Sequence, residues 1–263
     1  MKKNTLTAGL LFIISMASGT AEALEIDAEV KSDTVKRVGE LMRTNYVYAD
    51  KGDETAKFLE KKLKSGDFDE VSNDKEFAKK LTDAIQEVTK DKHLRVRPSQ
   101  SGRRHHTEND AIEERIKRKE RARYRNDGVA QVRKLEGNIG YLELRGFHGL
   151  QQAKAKIDAA MSLLTSSDAL IIDLRKNGGG SPATVQYLCS YFFDKRIHLN
   201  SLYWRDGDVT NEFWTLDNVG GNKLPEIPLY VLTSDRTFSG AEEFSYNMQT
   251  QKRATLVGET TGG

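Results

Sequence analysis

Two stretches of this chain follow the same order: a short apolar run, a turn of small residues, and a helix-like segment. The first is Ala169-Leu-Ile-Ile-Asp173, then Gly178-Gly179-Gly180, then Ala183 to Phe193. The second is Leu229 to Leu232, then Thr237-Phe238-Ser239-Gly240-Ala241-Glu242, then a helix over Ala241 to Thr250. A nearly continuous apolar run this short reads as a buried strand. Both units therefore belong to a mixed α and β core, and both place chemically versatile residues where a strand hands over to a helix.

The rest of Gly128 to Gly263 agrees. Ile139 to Leu144 alternates like a strand, and Ala153 to Leu164 has helical spacing. Leu202 to Trp204 and Phe213 to Thr215 predict a hairpin around Asp206-Gly207-Asp208, with Trp204 and Trp214 packed in it. Ala254 to Val257 predicts a last strand. Residues 33–92 instead carry apolar side chains at three- and four-residue spacing, as in Val35, Val38, Leu41 and Met42, or Phe77, Leu81, Ile85 and Val88. That pattern predicts a helical bundle, with Ser72-Asn73-Asp74 capping its third helix.

Between the two, residues 101–127 hold nine Lys/Arg and six Asp/Glu with few apolar residues. The interleaved charges predict a solvated linker, helical from Asp110 to Arg123, rather than a foothold on anionic lipid or nucleic acid. His105-His106-x-Glu108 matches no strong metal-ligand spacing. The divisions expected are a leader over 1–23, a helical region over 24–98, a linker over 99–127 and a core over 128–263. The leader reading rests on Lys2-Lys3, the apolar run Leu6 to Ala17 and the small-x-small Ala21-Glu22-Ala23, with cleavage after Ala23 and delivery to the periplasm or medium. The run is too short for a comfortable membrane span, so no stable insertion is expected after cleavage. The 41 basic and 39 acidic residues leave a net charge of +2, which argues against a nucleic-acid partner. The single cysteine, Cys189, excludes an intrachain disulfide and falls on the apolar side of its helix.

Three places attract chemical interest. Ser239 opens a helix, where free backbone N–H groups and the helix dipole suit a nucleophile that generates an oxyanion. The same position suits an ordinary N-cap, completed by Glu242 three residues on. Gly178 to Gly180 could cradle an anion, or be a flexible turn; no Gly-Lys-Ser/Thr follows, so it is not a phosphate-binding P-loop. His93 sits where the bundle ends, a place that by itself implies nothing catalytic.

Taken in order, the segments Asn45-Tyr46-Val47-Tyr48, Asp91-Lys92-His93-Leu94, Gly140-Tyr141-Leu142, Asp168 to Arg175, Asn177 to Gly180, Thr237 to Phe244 and Arg253 to Glu259 resemble the S41 serine peptidases. That family includes C-terminal processing proteases, tricorn protease and interphotoreceptor retinoid-binding protein. The resemblance runs from about Asp33 to Gly263, the linker excepted. It implies an α+β fold, with a helical bundle followed by a crotonase/ClpP-like core. It implies Ser239 as nucleophile, His93 as base, and an oxyanion hole from the Gly240 N–H with that of Gly179 or Gly180. It implies a protein or peptide substrate and no cofactor or metal. Asp173 and Arg175 are expected as structural supports. The glutamate that orients the histidine in this family would lie beyond residue 263, as would the lysine of the Ser–Lys branch, so the core is expected to be incomplete at its C-terminal end. Non-catalytic binding of a peptide or apolar ligand on the same scaffold is the alternative.

Overall fold

The computed structural model describes residues 25–98 and 108–263; the leader, its Ala23 cleavage point and His105-His106 lie outside them. Three helices come first: α1 (Ala28–Asn45), α2 (Ala49–Lys64) and α3 (Asp74–Thr89). Their starts are set locally. Asp27 accepts from the Val30 amide at 2.8 Å and Asn73 from the Glu76 amide at 2.9 Å, satisfying helix donors that would otherwise have no partner. Val35, Met42, Leu59, Phe77 and Leu81 then meet in one cluster, with Phe68 edge-on to Phe77 at 5.5 Å. The segment after α3 is laid back along it. Val96 N–H donates to Thr82 Oγ1, and Gln86 Nε2 to the Leu94 carbonyl, both at 2.9 Å.

Helix α4 (Glu108–Tyr124) contributes no buried residue among those described, as its charge predicts. The core follows as β1 (Val129–Leu135), β2 (Ile139–Leu144), α5 (Leu150–Leu164), β3 (Ala169–Asp173), α6 (Pro182–Cys189), β4 (His198–Trp204), β5 (Val209–Trp214), β6 (Leu229–Thr233), α7 (Gly240–Thr250) and β7 (Thr255–Gly258). Five strands form one sheet in the order β1-β2-β3-β6-β7, antiparallel between β1 and β2 and parallel elsewhere. Leu142, Leu170, Ile172, Val231, Ile157, Val185 and Phe244 are buried together between sheet and helices. The α+β architecture is the expected one.

Three details differ from the sequence reading. Strand β1 was not anticipated, because Gln131, Arg133 and Lys134 break up its apolar residues; as an edge strand it needs only one covered face. The helix expected to reach Phe193 ends at Cys189 and tightens into a 3₁₀ turn over Ser190–Phe192. There Ser190 Oγ takes over pairing, donating to the Gln186 carbonyl and accepting from the Leu216 amide. Strands β4 and β5 form a separate two-stranded arm, longer than expected, and Trp204 near its tip is 52% exposed rather than packed. Trp214 lies under the Arg196 guanidinium at 5.1 Å.

Candidate active site

Ser239 ends the loop after β6 and starts α7, and the loop is tied to the neighbouring strand's exit. Thr237 Oγ1 donates to the Leu174 carbonyl at 2.9 Å, Ser234 Oγ to the Arg175 carbonyl at 2.7 Å, and Phe238 N–H to the Asn177 carbonyl at 3.0 Å. Ser239 itself has φ 55° and ψ −122°. An N-cap residue ordinarily takes an extended conformation with negative φ. A non-glycine residue held at positive φ outside the left-handed helical well costs on the order of 1–3 kcal/mol, a cost the surroundings must impose. Glu242 helps impose it: its Oε2 accepts the Ser239 amide at 2.6 Å. Its other oxygen accepts from the Gly263 amide at 2.9 Å.

The glycine turn after β3 packs directly on this serine. Gly179 has φ 93°, and a Cβ there would lie 2.6 Å from the Gly240 nitrogen and 2.8 Å from Ser239 Cβ. Only glycine fits. Buried Asn177 sets the turn's shape. Its Nδ2 donates to the Leu144 carbonyl at 2.9 Å, and its Oδ1 accepts the Gly179 amide at 2.8 Å. The Gly179 carbonyl in turn accepts from Phe147 at 2.9 Å, and the Phe147 carbonyl accepts from Ser181 at 2.6 Å. The Gly179 N–H is therefore committed to Asn177, which corrects the expectation that it could serve an oxyanion. Gly180 N–H and Gly240 N–H have no hydrogen-bond partner among the described residues, and a Cβ on Gly240 would lie 3.1 Å from the Gly180 nitrogen.

His93 reaches this place from the helical region. Its ring stacks on Phe238, the residue before Ser239, with centroids 4.3 Å apart. Asp91 holds it from behind: Oδ1 accepts from both the His93 amide and Nδ1, each at 2.9 Å. Tyr46 donates its hydroxyl to Asp91 Oδ2 at 3.4 Å, and burial together with the carboxylate pushes the phenol's pKa up, so it stays a donor. Nε2 has no partner among the described residues, and no hydrogen bond joins it to Ser239 Oγ. Such bonds are often long without substrate and tighten in the complex. Lys92 Nζ donates to the Gly262 carbonyl beside the same turn.

Of the residues expected from sequence, Ser239, Gly240, Gly179 and Gly180 pack on one another, while His93 touches Phe238, the neighbour of Ser239. Asp91 and Asn177 lie inside the motifs that carry the resemblance, but sequence alone assigns them no task. An aspartate two residues before a histidine could have been noticed as an Asx turn, in which the carboxylate accepts its own i+2 amide. Under the sheet, Asp173 accepts from Tyr141 at 2.6 Å and from Arg175 Nη2 at 2.7 Å. It is the support expected of it. Cys189 is buried, and burial pushes its thiol well up. Among the described residues no three His, Cys, Asp or Glu stand close enough to hold a metal ion, and no helix is long and apolar enough to cross a membrane.

Two family models match this chain. Peptidase family S41 covers residues 138–263, and the N-terminal domain of peptidase S41 in eukaryotic IRBP covers residues 20–130. The chain belongs to peptidase family S41. Among solved structures, a candidate peptidase from Parabacteroides merdae is similar over 90% of this chain and 77% of its own, with a TM-score of 0.58 and 22% identity. A candidate S41 protease from Bacteroides fragilis is similar over 52% of this chain and 39% of its own, with a TM-score of 0.46 and 24% identity. Carboxyl-terminal-processing peptidase 2 of Arabidopsis thaliana chloroplasts is 29% identical over 127 residues, which is 48% of this S41 chain and 24% of that relative. The S41 chain therefore spans about a quarter of the length of that curated relative.

Proposed function

We propose that this chain is a serine peptidase that hydrolyses peptide bonds with Ser239 as nucleophile and His93 as general base. Asp91 accepts the Nδ1 proton, which leaves the lone pair on Nε2 for the serine hydroxyl. Attack of Ser239 Oγ on the scissile carbonyl carbon moves the hydroxyl proton to Nε2 and the carbonyl π electrons to oxygen. The Gly180 and Gly240 N–H groups hold that oxyanion; each such donor is worth ~3 kcal/mol in the transition state. Collapse expels the amine, which takes the proton from His93, and water then releases the acyl group by the same route in reverse. Asp91 stands in the orienting role that the family resemblance gives to a glutamate farther along.

The observation that carries this reading is the strained Ser239 backbone packed against the Gly179–Gly180 turn. A serine serving only as a cap needs neither the positive φ nor a glycine at 179. The substrate is an extended polypeptide, in line with the carboxyl-terminal-processing relative, and the leader over 1–23 directs the chain to the periplasm or medium.

The test is intact mass of the naturally produced protein with and without a fluorophosphonate. One adduct on Ser239, abolished by Ser239→Ala and strongly slowed by His93→Ala, is expected, on a chain that begins at Leu24. A folded protein that takes no adduct while still binding peptide would overturn the enzymatic reading in favour of a binding scaffold. A chain that retains Met1 would overturn the leader.

A further inference from the structure

Arg125, Arg145, His148 and Lys176 line one cleft of about 520 Å³ at the junction of α4, β1 and the loop after β2. Three of its walls carry a fixed positive charge. The facing acid is Glu143, a buried carboxylate that accepts from Arg145 Nε at 2.7 Å and lies 3.9 Å from Lys176 Nζ. One carboxylate against three cations leaves the cleft positive. Past its rim an adjoining hollow shares Arg125 and is lined by Lys117, Arg121 and Arg123 together with Glu120, Lys117 being paired with Glu113.

The position of this cleft ties it to the turn that packs on Ser239. Arg145 and His148 flank Phe147, whose amide and carbonyl pair with Gly179 and Ser181. Lys176 precedes Asn177, whose side chain fixes the Gly179 amide. Phe147 and Asn177 thus join the walls of the cleft to the turn that packs on Ser239.

We propose that this cleft is a specificity subsite that takes acidic side chains of the substrate polypeptide. The inference rests on the peptidase reading of Ser239 for its purpose, though not for its binding chemistry. Arginine presents a planar fork that matches a carboxylate, and Lys176 adds a point charge beside it. Glu143 disfavours a closely spaced phosphate backbone, because its own charge already offsets part of Arg145 and Lys176, whereas a peptide brings only one or two carboxylates. The concave shape likewise suits a side chain better than a flat lipid surface.

The experiment separates the two ideas. The full chain carrying Ser239→Ala is titrated into fluorescein-labelled, C-terminally amidated decapeptides that differ only in having two Glu or two Gln, read by anisotropy at about 0.1 M salt. Amidation leaves the side chains as the source of any carboxylate. The Glu peptide is expected to bind roughly tenfold more tightly, from two partly exposed charge pairs, and to lose that advantage in high salt. Arg125→Gln with Lys176→Gln, both on exposed side chains, is expected to bring the two peptides to within about twofold of each other. Equal binding of Glu and Gln peptides would refute the subsite. So would a preference the double variant leaves intact, or tighter, variant-sensitive binding of phosphatidylglycerol vesicles or of single-stranded RNA. Fluorophosphonate labelling of the Ser239 chain is scored separately, so a failure of the peptidase reading shows there and not in the anisotropy.

Discussion

Arg205, in the turn at the tip of the β4–β5 arm, donates from Nη1 to the Tyr46 carbonyl at 2.6 Å, across 159 residues of sequence. Tyr46 also gives its hydroxyl to Asp91, which grips His93. The arm itself is tied to α7, where Asn200 Nδ2 donates to Glu243 Oε1 at 2.7 Å. A continuous path therefore runs from the helix that presents Ser239, along the arm, to the residues that present His93. Arg205→Ala should slow fluorophosphonate labelling of Ser239 by about tenfold, since a small misplacement between catalytic groups is costly. Arg205→Lys should recover part of it. Melting temperature should move little, because the arm's contact is peripheral to both cores; a large drop in melting temperature with unchanged labelling of the folded fraction would remove Arg205 from the positioning path.

Asp91→Asn tests the orientation of the imidazole. An amide can offer an N–H to Nδ1 and stabilise the wrong tautomer, which leaves Nε2 protonated. Labelling at Ser239 should fall by about 10²-fold or more, while urea unfolding shifts by no more than about 1 kcal/mol. Labelling at the wild-type rate would assign orientation of the imidazole to another group.

Gly178 and Gly180, in the same turn, should respond differently. A Cβ at Gly178 meets nothing within 4 Å, so Gly178→Ala should change stability by less than about 1 kcal/mol. A Cβ at Gly180, where φ is 144°, would fall 2.0 Å from the Phe147 carbonyl oxygen. Gly180→Ala should cost roughly 3 kcal/mol in urea titration, through both steric overlap and backbone strain. Equal tolerance at the two positions would contradict the packing of this turn against its neighbours.

Asp173 gives a pH dependence whose sign can be worked out. Burial acts to raise its pKa, but the hydrogen bonds from Arg175 and Tyr141 outweigh burial and hold it below the ordinary carboxylate range. Tyr141 is correspondingly pushed up to about 12, by burial first and by Asp173 second. An acid with a depressed pKa stabilises the fold above its ordinary pKa, and that contribution is lost as pH falls through the ordinary value toward the folded one. Asp173→Asn should therefore cost roughly 2 kcal/mol at pH 7 and progressively less below about pH 4. Urea titrations at the two pH values check it; a deficit that grows in acid would reverse the assignment.

The parts of this fold that could be read in the sequence are those where one residue type has one use. The apolar runs at 169–173 and 229–232 have to be covered on both faces, and β3 and β6 are central strands. Helix α3 announces itself by spacing and by Asn73, whereas α1 shows its spacing only from about residue 33 and starts earlier, at Ala28 behind Asp27. Strand β1 was hidden because its polar residues face solvent at a sheet edge, where alternation carries little apolar signal. Trp204 misled because a large aromatic ring ordinarily seeks cover, and the arm's tip offers none. At the site, the cluster of Ser239, the glycine turn and His93 was legible as an ordered set of motifs. Which glycine amide stays free was not, because the answer depends on Asn177 reaching Leu144 and Gly179 together, a contact that exists only after β2 and β3 are side by side. The same holds for Arg205, whose partner lies in a different part of the molecule and is a backbone carbonyl that any residue could supply.

Histidine and serine here sit on separate hydrophobic clusters, one complete by about residue 96 and the other built from residues 129–256. During synthesis from the N-terminus, the imidazole and its aspartate can be in place while the serine's elbow does not yet exist. On the proposed mechanism, base and nucleophile are assembled only when the second cluster closes and Phe238 is delivered against the waiting ring. Timing, as much as geometry, is then written into the order of the chain: under that mechanism a half-made molecule carries a base with nothing to activate.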